Sequence, residues 1–170
     1  INCEILNNNI SKTLSEEIVL YCAILKKDNF ELIVQKAAEI GVSKIVPVIT
    51  ERTIKTNLNL ERLNKISKEA CEQAERSDVM NVGDIKKFKD CFNVEEKIKI
   101  LFDFSGEDLF KNKIKTKKQS VAFFIGPEGG FTDKEVDLAR KNNFNIFRLG
   151  DNVLRGETAA IIASYLIVNN

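Results

Sequence analysis

Histidine is absent from the 170 residues of the chain. Its absence removes the commonest general base, the Ser/His and Cys/His catalytic pairs and most transition-metal sites. Any chemistry must therefore use carboxylates, Arg, Lys, Thr or the backbone. The four cysteines, Cys3, Cys22, Cys71 and Cys91, form no CxxC pair and no dense framework, so we expect reduced thiols and no bound metal.

Long apolar runs and an excess of one charge are also missing. Stretches such as Val121–Ile125 and Ala159–Ala163 are far too short to cross a bilayer, and no basic-then-apolar leader opens the chain. We therefore expect a soluble, cytoplasmic protein with no membrane partner. The 26 basic residues are almost matched by 25 acidic ones, which gives no overall charge argument for nucleic acid binding.

Apolar, β-branched segments alternate with segments of helical periodicity, which predicts one α/β domain with a mostly parallel sheet and helices on both faces. Five buried strands are predicted at Ile18–Leu25, Lys44–Ile49, Lys99–Phe104, Ser120–Ile125 and Ile146–Leu149. The first helix is predicted to have Asp28 or Asn29 as its N-cap and to end at Gly41, and three more are predicted at Leu60–Arg76, Asp133–Asn142 and Arg155–Val168.

The segment Gly126–Gly130, with the sequence GPEGG, lies between a predicted strand and a predicted helix. Thr132 and Glu135 form a T-x-x-E capping box, so that helix begins directly after the glycine pair. Open parallel sheets bind ligands at the carboxyl ends of their strands. Glycine lets a ligand approach the backbone, while Pro127 restricts the loop. The segment therefore predicts a backbone-lined ligand pocket rather than an ordinary turn.

A second loop, Leu149–Ala159, also leads from a strand into a helix and carries Gly150 and Gly156. Two such loops near one another would form a pocket. Neither contains the GxxxxGK[ST] motif of nucleoside triphosphate sites or the GxGxxG motif of dinucleotide sites, which weakens both of those interpretations. The helix that begins at Arg155 is apolar on more than one face, so we expect it to be buried or to lie in an interface.

Four stretches carry a resemblance to a known family: Val34–Thr53 (VQKAAEIGVSKIVPVITERT), Glu69–Ser77 (EACEQAERS), Phe124–Glu135 (FIGPEGGFTDKE) and Leu149–Ala160 (LGDNVLRGETAA). Together, and in this order, they cover almost the whole chain. The sequence resembles the ribosomal RNA small subunit methyltransferase E family of the SPOUT superfamily.

The resemblance implies a SPOUT-type α/β fold with a deep trefoil knot near the C-terminus and a pocket for S-adenosyl-L-methionine. It also implies a homodimer that methylates N3 of a uridine in 16S rRNA of the small ribosomal subunit, and a separate N-terminal PUA-like RNA-binding domain. We expect residues 1–14 to be a remnant or linker of that domain and residues 15–170 to form the methyltransferase domain. The chain begins with Ile rather than Met, which agrees with this expectation.

Cofactor-binding residues are carried over from the family position by position. They are Leu101, Phe102 and Asp103 at a strand end, Gly126, Pro127, Glu128, Gly129 and Gly130 in the first loop, and Leu149, Gly150, Val153 and Leu154 in the second. The resemblance implies that mostly backbone groups hold the cofactor, and we expect the Glu128 carboxylate to favour its sulfonium cation.

The implied reaction requires the proton on uracil N3 to leave, and negative charge then spreads onto the two ring carbonyl oxygens. We expect Arg155 to stabilise that charge. An ion pair of Arg155 with Glu157 or Glu128 is the alternative interpretation. Gln73 and Arg76, which we predict on one face of the second helix, are expected to orient the base or a phosphate, in the same or the other subunit.

Other functions stay open at this point. The pocket motifs do not name the substrate, so a SPOUT methyltransferase for tRNA or large-subunit rRNA is one alternative. A non-catalytic RNA-binding module is another, although the even charge balance argues against it. Arg52, after the second predicted strand, is a weak candidate for an RNA phosphate contact.

Overall fold

The computed structural model describes residues 17–26, 29–110 and 119–170. The predictions for residues 1–14 and for Asp28 as a helix cap fall outside these ranges. In chain order, the elements are β1 (Ile18–Ala23), α1 (Asn29–Ile40), β2 (Lys44–Ile49), α2 (Leu60–Gln73), β3 (Asn81–Val82), β4 (Lys86–Lys87), a 3-10 turn (Phe88–Cys91), β5 (Ile98–Asp108), β6 (Val121–Ile125), α3 (Asp133–Lys141), β7 (Asn145–Arg148) and α4 (Gly156–Val168).

These strands form one sheet in the order β3-β2-β1-β6-β5-β7, with β4 beside β2 further along the same edge. Every strand pair is parallel. The two central strands β1 and β6 carry unbroken buried runs, as strands covered on both faces must. The predicted α/β fold with a mostly parallel sheet is therefore confirmed.

Two apolar clusters cover the two faces of the sheet. The larger one packs α1, α2 and α4 against alternate strand residues such as Leu20 and Phe123. The smaller one packs α3 and the 3-10 turn against the intervening residues such as Tyr21 and Phe124, whose rings stack with centroids 4.4 Å apart. Helices on both faces are confirmed. No helix in the described ranges is long and apolar enough to cross a bilayer.

Strand β5 is longer than predicted and changes register along β7. Phe102 and Glu107 both pair with Phe147, so the residues between them bulge out of the ladder. Gly106 permits the bulge because an added Cβ would lie 2.6 Å from the carbonyl carbon of Ile146. The bulge exposes Phe104, which is 53% accessible. Alternating polarity does not signal such a slip, so the sequence predicted a shorter strand, Lys99–Phe104, that ends inside the bulge.

The predicted end of the second helix is wrong by three residues. Helix α2 ends at Gln73, because Glu75 adopts a positive φ of 54° and the Arg76 amide donates back to the Cys71 carbonyl. Arg76 therefore does not share a helical face with Gln73. The short strands β3 and β4, with two residues each, were not predicted because they are too short to show a period.

Arg76 joins the end of α2 to the turn before β2. Its side chain is 9% exposed, and Nη1 donates to the carbonyls of Ala38 at 2.7 Å and Val42 at 3.0 Å. Nη2 lies 2.7 Å from Asp78. The hydrogen bond from Arg76 is the main cause that lowers the pKa of the Asp78 carboxyl below its ordinary value. These contacts make Arg76 a bridge between elements of the fold.

We expect Arg76→Met to lower the free energy of unfolding by about 1.5–3 kcal/mol, because two carbonyls lose a charged donor. Urea unfolding measures the change. The matched control is Arg140→Met, since Arg140 is 50% exposed and its nearest acid, Asp137, is 3.8 Å away. That control should cost no more than about 0.5 kcal/mol. Equal losses in the two variants would contradict the structural role of Arg76.

Candidate functional site

A cavity of about 610 Å³ opens at the carboxyl ends of β5, β6 and β7. The loop at 126–131, which follows β6, forms one wall, and the loop at 149–155, which follows β7, forms another. Lys26, after β1, and the bulge of β5 complete the rim. The cavity therefore lies where an open parallel sheet binds ligands, and its volume suits a small organic molecule.

Most of the predicted cofactor-binding residues line this cavity. They are Phe102, Asp103, Gly126, Pro127, Glu128, Gly130, Leu149, Gly150, Val153 and Leu154. Two lie outside its wall. Leu101 is fully buried in the cluster under α3, because alternate residues of β5 face opposite sides of the sheet. Gly129 turns its carbonyl toward Arg52.

The first loop is built for a tight turn. Gly130 has a φ of +68°, in the left-handed region that favours glycine, and its amide donates to the Pro127 carbonyl at 2.8 Å. An added Cβ at Gly130 would meet nothing within 4 Å. At Gly126, a Cβ would lie 3.1 Å from the Phe131 ring. The backbone at Gly126 is therefore packed tightly against the Phe131 ring, whereas the space beside Gly130 is open.

The predicted capping box at the start of α3 is confirmed and extends across the sheet. Glu135 Oε2 accepts from the Thr132 amide at 2.9 Å, and Thr132 Oγ1 accepts from the Glu135 amide at 3.3 Å. The other Glu135 oxygen, Oε1, accepts from the Glu51 amide at 2.9 Å. Glu135 is only 8% exposed. One carboxylate thus fixes the end of the glycine loop against the turn after β2.

Arg52 holds the glycine loop from the same turn. Its Nη1 donates to the Gly129 carbonyl at 2.6 Å and, more weakly, to the Phe131 carbonyl at 3.4 Å. The sequence suggested Arg52 as a phosphate contact. The structure instead brings its guanidinium onto two carbonyls of the pocket loop, so Arg52 positions that loop.

Glu128 lies on the opposite side of the cavity from β7. Its Oε1 accepts from the Lys26 amide at 2.9 Å, which ties the loop to the segment after β1. Burial, together with the Glu128 charge, raises the pKa of the Cys22 thiol, so this thiol stays protonated near neutral pH. The structure thus gives Glu128 a local backbone partner inside the pocket.

The second loop turns at Gly150, where φ is +137° and an added Cβ would meet nothing within 4 Å. Gly156, the first residue of α4, lies beside the larger apolar cluster. A Cβ at this position would lie 2.9 Å from Cδ1 of the fully buried Leu25. A glycine at position 156 thus lets the start of α4 approach the segment that follows β1 closely. Arg155, the N-cap residue of α4, is exposed at the mouth of the cavity.

Arg155 is unpaired within the described ranges, because its side chain makes no salt bridge within 4.0 Å and no cap hydrogen bond. The alternative that it pairs with Glu157 or Glu128 finds no support in this geometry. Gln73 and Arg76 lie away from the cavity, because the end of α2 faces the turn before β2, at the amino edge of the sheet. In one chain they do not meet Arg155.

The cavity residues that the sequence analysis missed include Lys26, Phe104 and Arg148. Arg148 directly precedes the predicted loop residue Leu149, so its place at a strand end was a usable signal. Phe104 gave no such signal in the sequence, because only the register slip of β5 brings its side chain to the rim of the cavity.

The model of the RNA methyltransferase domain family matches residues 12–168. Ribosomal RNA small subunit methyltransferase E of Rickettsia conorii is 31% identical over 169 residues, which cover 92% of this chain and 69% of that protein. The structure of a putative methyltransferase from Legionella pneumophila in complex with its cofactor SAM has a TM-score of 0.83 and 31% identity, over 90% of this chain and 66% of that one.

A ribosomal RNA small subunit methyltransferase E from Neisseria gonorrhoeae, bound to S-adenosyl methionine, gives a TM-score of 0.82 and 31% identity, over 89% of this chain and 65% of that one. The fold and these matches define an RNA methyltransferase domain. More particularly, the chain belongs to the ribosomal RNA small subunit methyltransferase E family. It spans about two thirds of the length of these relatives.

We expect Arg52→Met to loosen the glycine loop without unfolding the domain. Loss of the two carbonyl contacts should speed hydrogen exchange at the Gly130 amide by roughly fivefold, which corresponds to about 1 kcal/mol of local stability. Global stability should fall by no more than about 1 kcal/mol. Lys134→Met, an exposed change in the first turn of α3, is the control. Unchanged exchange at Gly130 in Arg52→Met would contradict the positioning role.

Proposed function

We propose that the chain is the catalytic domain of an S-adenosyl-L-methionine-dependent methyltransferase that modifies N3 of a uridine in 16S rRNA. The cavity between the two glycine-bearing loops is the observation that carries this proposal. Two solved relatives with 31% identity are described with S-adenosylmethionine bound. Membership of the small subunit methyltransferase E family favours 16S rRNA over tRNA or large-subunit rRNA.

The residues of the cavity fit this cofactor. Gly130 and Gly150 leave open space where a side chain would stand, so backbone groups are accessible to an adenosine. Leu149 and Leu154 are half-buried and offer apolar surface for the faces of an adenine ring. Glu128 supplies a carboxylate for a sulfonium cation. When bound, the cofactor would supply an electrophilic methyl group.

Arg155 is suited to the charge that develops on the substrate. Loss of the N3 proton from uracil leaves negative charge on the two ring carbonyl oxygens, and a fixed cation stabilises it. Arg155 is exposed at the mouth of the cavity, next to the half-buried Leu154. It is the N-cap residue of α4, and its exposed side chain is accessible to a base that enters from solvent.

We also propose that the active form is a homodimer with a trefoil knot in each C-terminal region. Helix α4 is mostly apolar after Thr158, and Tyr165 is 60% exposed, which suits a subunit interface. A second subunit would be needed to bring the exposed Gln73 near Arg155, where it could orient the base. The guanidinium of Arg76 is already engaged with Ala38, Val42 and Asp78, so its contacts favour a structural role.

Mass spectrometry of rRNA after incubation with labelled S-adenosylmethionine tests the proposed reaction. Small subunits purified from cells that lack this modification serve as the substrate, with large subunits and tRNA as controls. We expect one labelled 3-methyluridine in 16S rRNA and none in the control RNAs. Label in tRNA or in large-subunit rRNA alone would transfer the assignment to another substrate, and cofactor binding without label in any RNA would favour a non-catalytic module.

We expect Arg155→Ala to lower the methylation rate by roughly a hundredfold or more, the usual cost of removing one group that stabilises transition-state charge. Cofactor affinity should change by less than about threefold, because the side chain faces the substrate. Single-turnover methylation and calorimetry measure the two quantities. The conservative variant Arg155→Lys should recover part of the rate. A normal rate in Arg155→Ala would refute the catalytic assignment.

A further inference from the structure

Arg148 is a cation in the cavity wall to which neither the sequence nor the proposed reaction gives a role. It is the last residue of β7, and its side chain is 30% exposed. Its Nε is buried and has no hydrogen-bond partner among the described residues. Its Nη2 lies 3.2 Å from Oδ1 of Asp151, a side chain that is 87% exposed.

This pairing compensates the charge of Arg148 only in part. An ion pair with so exposed a carboxylate is screened by water and is worth little, typically no more than about 1 kcal/mol. Meanwhile, the buried Nε has lost its contact with water. A second anion near the terminal nitrogens would therefore stabilise the charged guanidinium further. Because Nε is not accessible, an anion in the cavity meets the terminal nitrogens, whose planar fork matches a carboxylate.

The neighbouring strand β5 places an acid in the same cavity wall. Asp103 follows Phe102 at the start of the bulge, while Arg148 itself pairs with Asp108 beyond the bulge. Asp103 and Arg148 both line the cavity and both are half-buried. An acid and a base in one cavity wall suit a ligand that carries an ammonium and a carboxylate on one carbon, which is an amino acid.

A phosphate of the RNA fits this position less well. Lys26 and Arg155, the other cations of the cavity, are exposed at its rim, where a polyanion has access. Arg148 is more buried than either and shares the cavity wall with an acid, Asp103, which would repel a phosphate that carries no ammonium. We propose that Arg148 binds the carboxylate of the methionine part of S-adenosylmethionine and so positions the cofactor. This inference rests on the proposed function.

A purely structural role makes a different prediction. The Arg148–Asp151 pair spans the turn at Gly150, so Arg148 could act only by holding the second loop. In that case, loss of either partner would weaken every ligand that contacts the loop. A carboxylate-binding role weakens only ligands that carry the carboxylate, and loss of Asp151 would leave Arg148 free for them.

The test uses two ligands that differ in one group. S-adenosylhomocysteine carries the carboxylate, and its decarboxylated analogue, S-adenosyl-3-thiopropylamine, keeps the adenosine and the ammonium but lacks it. Calorimetry with the unaltered protein should give about tenfold to a hundredfold tighter binding of S-adenosylhomocysteine, the range for a charge-assisted pair. This comparison needs no substitution, so a variant that fails to fold cannot obscure it.

Three variants complete the experiment. Arg148→Met should bind the two ligands with nearly equal affinity, by weakening S-adenosylhomocysteine about tenfold to a hundredfold while leaving the analogue within about threefold. Asp151→Asn should leave S-adenosylhomocysteine binding unchanged or tighter. Arg140→Met, which removes an arginine from a similar i,i+3 pair with Asp137 on α3, should retain the full preference.

Equal affinity of the unaltered protein for both ligands overturns the role of Arg148 and leaves the proposed function standing. Equal weakening of both ligands in Arg148→Met and in Asp151→Asn overturns it in favour of a loop-holding role. Unchanged binding of both ligands in Arg148→Met, with weakened RNA binding, overturns it in favour of a phosphate contact. Failure of the unaltered protein to bind S-adenosylmethionine or either ligand refutes the proposed function itself, and the inference with it.

Discussion

The cavity exists because three neighbouring parallel strands, β6, β5 and β7, end at the same edge of one sheet. In a parallel sheet, every connection leaves from the carboxyl edge, so the loops after β6 and β7 are forced toward each other across the end of β5. Strand β5 stays in register with β7 up to the pair of Phe102 and Phe147, where its bulge begins. Helix α4 then packs against β1, and Gly156 at its start lies against Leu25, just after that strand.

The first loop of the pocket is held in place before any ligand arrives. Glu135 and Arg52 hold the first loop from the turn after β2, and Glu128 holds it from the segment after β1. A loop fixed in this way has already lost its conformational entropy during folding, so binding does not incur that cost again. The second loop has fewer ties, and Val153 at its tip is 84% exposed. The proposed substrate side of the pocket is thus its less restrained side.

Charge is balanced inside the cavity as well as over the chain. Its lining carries three basic residues, Lys26, Arg148 and Arg155, and three acidic ones, Asp103, Glu128 and Glu157. Such a lining suits a ligand that itself carries charges of both signs. It also accounts for a domain that handles a polyanion without a strongly basic composition, because the cations that matter are local.

Local periodicity was enough to predict the sheet class, the four helices and the capping box at Thr132, because each leaves a repeating pattern or a fixed spacing. The glycine loops marked the carboxyl edge, and family resemblance supplied the cofactor and substrate. The clamp by Arg52 could not be predicted, since it joins residues 77 positions apart. The predicted end of α2 was wrong because the left-handed backbone conformation of Glu75, which ends the helix, left no signal in the sequence. The register slip of β5 left no signal in the sequence either.

The central claim is that the cavity between the two glycine loops binds S-adenosylmethionine. Titration of the isotopically labelled protein with S-adenosylmethionine, followed by amide resonances, tests it most directly. The account predicts saturable shifts at Gly126, Gly130 and Gly150, with little change at Gln35 and Gln73, which line a groove between α1 and α2. Saturable shifts confined to that groove, or no shifts at the three glycines, would contradict it.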